Sequence, residues 1–128
     1  MLPKIAYAPI FVLVLHVIAT VLGWYELFFW LDTPMHFLGG ASIGISSYYF
    51  LHQSELETKK FHTKLFNYLV ILALTALAAV AWEILEFHID RAINTVMQPS
   101  VLDTMKDLAF GLLGGSVSAA ILLIKKPL

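Results

Sequence analysis

The chain has 128 residues, 59% of them hydrophobic and 13% charged, with a formal net charge of −1 and no cysteine. A soluble domain this small needs far more charged surface, because so little of it can be interior; a mean hydropathy of +0.81 excludes that class. The near-neutral charge speaks against a nucleic-acid partner, and the lack of cysteine removes disulfides and thiolate metal sites.

Four apolar runs, each about as long as a helix that crosses a bilayer, predict an all-α fold: a polytopic transmembrane bundle of four helices in a single domain. The first run, "IAYAPIFVLVLHVIATVLGWYELFFWL", predicts a helix over about 4–30. It is too long for the core of a signal peptide, and no small-residue cleavage pattern follows it. "LDTPMH" then offers Thr33 or Asp32 as an N-cap with Pro34 in the first turn, opening a second helix over about 34–52. The polar stretch "HQSELETKKFHTK" reads as a water-exposed loop. A third helix follows over about 64–89, ending in "AWEILEFHID". Pro99 and the capping-box-like Ser100-x-x-Asp103 open the fourth, over about 101–124.

With four spans, Lys4, Lys59, Lys60, Lys64, Lys125 and Lys126 share one side of the membrane, and only Arg91 and Lys106 fall on the other. By the positive-inside rule both termini are cytoplasmic, and the expected location is a bacterial inner membrane. The acids segregate the opposite way. Glu26, Asp32, Glu83, Glu86, Asp90, Asp103 and Asp107 belong to the outer, periplasmic half, while Glu55 and Glu57 are cytoplasmic.

Spacing turns that segregation into a candidate site. Asp32 and His36 are i, i+4 at the start of the second helix, and Asp103 and Asp107 are i, i+4 at the start of the fourth. Glu83, Glu86 and Asp90 form one stripe at the end of the third. All three helix ends lie at the same depth, so the three polar stripes converge. Beneath them Gly40 and Gly44, and Gly111 and Gly115 with Gly114 and Ser118, set small residues at the spacing that lets helices approach closely. The same glycine steps would also suit a homo-oligomer. A carboxylate at this depth costs a few kcal/mol unless something compensates it. Several acids side by side therefore imply either protonation or a cation.

His36 sits in the first turn of its helix, where the dipole disfavours imidazolium and leaves the neutral ring that a metal requires. The expected cofactor is one or two divalent ions held by some of His36, Glu83, Glu86, Asp103 and Asp107, with Asp32 supporting or ligating. Histidine with carboxylates suits zinc, manganese or iron, and an all-oxygen subset suits magnesium or calcium. Structural roles compete at several positions. Asp32 and Asp103 serve equally well as helix-start carboxylates, Asp90 as an ion-pair partner of Arg91, and His16 as a histidine bonded inside the bundle. Trp24, Tyr25 and Trp30 read as an interface belt, Trp82 as packing beside the site and His88 as interfacial.

"DTPMHFLGG", "WEILEF" with Asp90, and "DTMKDL" with "GLLGG", in that order, resemble the YjdF-like inner-membrane family of unknown function. The Asp32-x-x-x-His36-Phe37 element is also similar to the VanZ-like proteins, some of them linked to glycopeptide resistance. The resemblance covers about residues 30–118; it implies a polytopic inner-membrane protein and supplies no reaction. A fainter echo of the small bacterial diacylglycerol kinase, in "EILEFHIDR" and Lys106-Asp107, places the acids on the wrong side for ATP. The residues themselves lead to a metal-dependent hydrolase or transferase, with Glu83 or Glu86 as general base where it is not a ligand, acting on a lipid or lipid-linked envelope substrate. A non-catalytic metal-binding scaffold and a proton or cation transporter stand as alternatives, and enzymatic activity is left open. Membrane lipids are the expected partners.

Overall fold

The computed structural model describes residues 4–53 and 63–125. The expectations for Glu55, Glu57, Lys59, Lys60 and Lys126, and for most of the polar loop, lie outside the described residues. Those residues form five helices: α1 (Lys4–Val21), α2 (Trp24–Leu27), α3 (Asp32–Gln53), α4 (Lys64–Ile93) and α5 (Val101–Lys125). Among the described residues there is no strand, so the chain is all-α as expected.

The first helix departs from the single span expected over 4–30. Gly23 adopts a left-handed conformation with φ 67°, and its N–H donates back to Thr20 O at 3.1 Å. This is the glycine helix stop, and an apolar sequence on both sides hides it. The chain restarts as the single turn α2 and reaches α3 after four further residues.

Pro9 leaves a second mark on α1. A proline has no N–H to give to the carbonyl four residues earlier. The freed Ile5 carbonyl is instead met by the Ser46 hydroxyl of α3, which donates to it at 2.6 Å. A break in one helix thus becomes a tie to its neighbour.

α3 begins at Asp32, two residues before the expected start, with Pro34 in the first turn where its missing N–H costs nothing. α4 runs a turn beyond the expected 89, to a left-handed Asn94. At 1.5 Å per residue its 30 residues span about 45 Å, well over the roughly 30 Å of a hydrocarbon core. α4 and α5 are long and apolar enough to cross a membrane. α1 is apolar but shorter, and glycine and serine dilute α3. Among the described residues, length and composition therefore mark two spans where the sequence reading expected four.

The molecule is inverted relative to a soluble bundle. Leu77 is 69% exposed and Ile124 76%, whereas the buried set includes Ser42, Asn67, Thr75, Glu83, Glu86, Asp107 and Ser118. Apolar outside and polar inside is what a hydrocarbon solvent selects.

α3 is the hub, packing most extensively on α5 and also on α1 and α4, while α1 and α4 hardly touch. The α3–α5 crossing depends on glycine. A Cβ on Gly40 would run into the Gly111 backbone, and one on Gly44 into Ser118 Oγ. One on Gly114 would meet the Phe37 carbonyl. The glycine steps thus serve packing within the chain. Away from the acids, Tyr48, Ile71, Ala119 and Leu123 form the apolar core, and Tyr68 and Ser116 share a 2.6 Å hydrogen bond.

Candidate functional site

The close α3–α5 contact draws the start of α3, the start of α5 and the last third of α4 to one place. Its centre is His36. Asp32 Oδ1 lies 3.3 Å from Nε2 on one side of the ring, and Glu83 Oε1 lies 3.7 Å from Nδ1 on the other. Two triads share this histidine: His36 with Glu83 and Glu86, and His36 with Asp32 and Asp107. In each, one donor atom per residue falls within 4.8 Å of the other two.

The triads differ in charge balance. Lys106 reaches into the second, its Nζ 2.7 Å from Asp103 Oδ1, 3.4 Å from Asp107 Oδ1 and 3.6 Å from Asp32 Oδ2. An ammonium already balances that side. The first triad has no lysine or arginine within ion-pair distance among the described residues. Its Glu83 is 6% exposed, and Glu83 Oε1 has no hydrogen-bond partner among the described residues. A buried, unsatisfied carboxylate oxygen is costly and calls for a physical reason. Asp107 Oδ1 is likewise buried without a hydrogen bond, although Lys106 lies close enough to balance its charge.

The rest of Glu83 is firmly held. The Gln98 amide donates to Glu83 Oε2 at 2.6 Å and to the Glu83 main-chain oxygen at 2.8 Å. Gln98 is delivered by the α4–α5 connection, which Asp90 organises. The Asp90 carboxylate accepts from the Thr95 hydroxyl at 2.7 Å, from Met97 N at 2.8 Å and from Gln98 N at 2.9 Å. This corrects the expected Asp90–Arg91 ion pair: the chain beyond Asn94 folds back over Asp90 and supplies N–H donors first. Glu86 is anchored from its own helix, where Trp82 Nε1–H donates to Oε1 at 2.8 Å.

The sequence-derived residues separate accordingly. The structure brings Asp32, His36, Glu83, Glu86 and Asp107 together. Asp103 stands to one side, its carboxylate on Lys106 and its N–H donating to Ser100 Oγ at 3.2 Å, as a helix start requires. Asp32 turns its carboxylate to His36 and Lys106. His16 is bonded inside the bundle, its Nδ1 2.7 Å from Tyr25 OH and its ring edge-on to Trp82. Tyr25 therefore faces inward and not the interface belt. His88 donates to its own helix at Ile84 O and is exposed. Sequence reasoning missed Gln98 and the central place of Lys106. Lys106 had a signal, lying three residues from Asp103 and one from Asp107; Gln98, in an irregular connection, had none.

These features define a class: a helical membrane protein with a buried acid–histidine centre at one end of its bundle. The chain matches the family described as "Predicted membrane protein (DUF2238)" over residues 1–126, and it belongs to that family. No curated protein and no solved structure matches it.

Proposed function

We propose that the chain binds one divalent cation between His36 Nδ1, Glu83 Oε1 and the Glu86 carboxylate, and uses it to hydrolyse or transfer a group of a lipid or lipid-linked substrate. The observation that carries this reading is the unpartnered, buried Glu83 Oε1 aimed at His36 Nδ1. A carboxylate behind a histidine fixes which ring nitrogen keeps its proton, and Asp32 stands in that position at Nε2. Nδ1 is then the free lone pair. Three protein ligands leave a further position for water, the pattern of catalytic rather than structural sites. A cation held there would supply Lewis acidity, lowering the pKa of a bound water and polarising an ester or phosphoester oxygen. Glu86, steadied by Trp82 at Oε1, would complete the ligand set, and it would serve as the general base only if it did not ligate the cation. Lys106 holds the neighbouring carboxylates without competing for Glu83.

The end of the bundle marked by Lys4, Lys64 and Lys125 would lie in the cytoplasm, which sets the site in the outer half of a bacterial inner membrane. A role in the cell envelope fits that side and the VanZ-like Asp32–His36 element.

Metal analysis of the purified protein tests the proposal. About one zinc, manganese, iron or magnesium ion per chain is expected, lost in Glu83→Gln and in His36→Ala. Metal-free protein that is as stable as metal-loaded protein contradicts it.

A non-catalytic metal brace is the second reading, favoured by the fact that the three ligands come from two helices and so tie α3 to α4. Transport finds less support. Of the polar groups beneath the cluster, which also include Ser47 and His16, the hydroxyls of Ser42, Ser46, Thr75 and Ser118 each donate to a main-chain carbonyl and not to one another.

A further inference from the structure

Because α1 and α4 hardly touch, a cleft of about 480 Å³ remains between them, with α3 as its back wall. Ile10, Leu13, Ile43, Ala78 and Leu85 line it, and its polar groups are few: chiefly His16, Tyr25, Asp32 and His36. The volume is that of a cavity for one small molecule. Gly39 also lines the cleft, and a Cβ built there would meet nothing within 4 Å. This glycine differs from Gly40 and Gly44, which packing requires; here the space belongs to the cleft.

Two observations choose the occupant. Both helices bounding the cleft carry exposed apolar side chains, Phe11 and Val14 on α1 and Leu77 and Ile84 on α4. In a membrane, the species that reaches such a cleft sideways is a hydrocarbon chain. The polar end is the second. Asp32 lines this end, and the carboxylates of Glu83, Glu86, Asp103 and Asp107 stand behind it around His36 and Lys106, so the end is acid-rich even with a charged imidazole or a bound divalent ion. An anionic head is repelled there, and an uncharged head with hydroxyl donors is accepted.

We propose that the cleft binds a single acyl chain of a neutral glyceride, with its ester and hydroxyl end against Asp32, His36 and Tyr25. The proposal rests on the lipid-substrate reading above and narrows it to an uncharged acyl ester. Chain binding itself does not require the metal.

Trp82 lines the cleft and reports occupancy. In a Trp24→Phe, Trp30→Phe background, detergent-solubilised protein is titrated with a monoacylglycerol whose chain carries bromine, a contact quencher of tryptophan. Saturable quenching is expected, and a brominated fatty acid with an ionised carboxylate should bind at least about tenfold more weakly. Gly39→Phe, and Ala78→Leu as a second filling variant, should abolish the saturable component while keeping the metal content of the parent protein. Glu83→Gln, at a residue outside the cleft lining, should lose metal and keep the quenching, so failure of the metal reading and failure of the chain site are told apart. Quenching that never saturates, quenching unchanged in both filling variants, or a cleft closed by a second copy in a concentration-dependent dimer would each overturn the proposal.

Discussion

Gln98 holds Glu83 at two points with one amide, 2.6 Å to the side-chain Oε2 and 2.8 Å to the main-chain oxygen. The carboxylate is thereby fixed on one oxygen and left open on the other, the one that faces His36. A residue in an irregular connection sets the geometry of a centre built on helices.

Removing that grip should loosen the site without dismantling it. Gln98→Ala leaves Glu83 Oε2 without its donor, at a cost of about 1–3 kcal/mol for a buried acceptor. The supporting bond to a proposed ligand is also lost, so divalent-ion affinity should fall by about 10–100-fold. Thermal unfolding and metal titration in detergent measure the two effects. Unchanged metal affinity would show that Gln98 supports only the fold.

Asp90 acts one step further out. It gathers Thr95, Met97 and Gln98 at the end of α4, and Asp90→Asn keeps its shape while weakening the charge-assisted bonds. Faster amide hydrogen exchange at Met97 and Gln98 is expected, with a smaller loss of metal affinity than in Gln98→Ala. Protection at those amides equal to that of the parent protein would contradict this placement.

The three convergent stripes were legible in the sequence because helix geometry makes them so. Asp32 with His36, Glu83 with Glu86, and Asp103 with Asp107 lie at helical spacing close to helix ends, and small residues beneath them announce close packing. The start of α5 at Ser100 and Asp103 was equally readable. The break at Gly23 was not, since apolar residues flank it and a lone glycine is compatible with a helix interior. Gln98 was hidden because a loop conformation, set by Asp90, decides where its amide points. The cleft was beyond any sequence pattern, for it comes from two helices whose backbones stay apart and which meet at the His16 and Trp82 rings.

The adjacent glycines of α3 should respond in opposite ways. Gly40→Ala drives a Cβ into the Gly111 backbone and must push α3 from α5, costing about 1–3 kcal/mol or more. Gly39→Ala meets open space and gains helix propensity, a change of about −0.5 to −1 kcal/mol in its favour. Melting temperatures of the two variants decide it. Equal destabilisation would mean that the glycine contact is not what holds these helices together.

Lys106→Met removes the cation from among Asp32, Asp103 and Asp107. Without added metal, stability should drop by about 1–3 kcal/mol, less than for a fully buried pair because the lysine is partly exposed. Divalent ions should restore it by occupying the vacated carboxylates, raising the ion count above that of the parent protein. A variant that gains no ion and no metal-dependent stability would show that the Asp32, His36 and Asp107 triad cannot hold one.

Anomalous diffraction from crystals loaded with manganese or zinc is the most direct measurement of the central claim. The account predicts a peak between His36 Nδ1 and Glu83 Oε1, about 2.0–2.2 Å from each, that disappears in Glu83→Gln. A loaded crystal in which that position is dark, and the metal sits only on exposed surface acids, would contradict it.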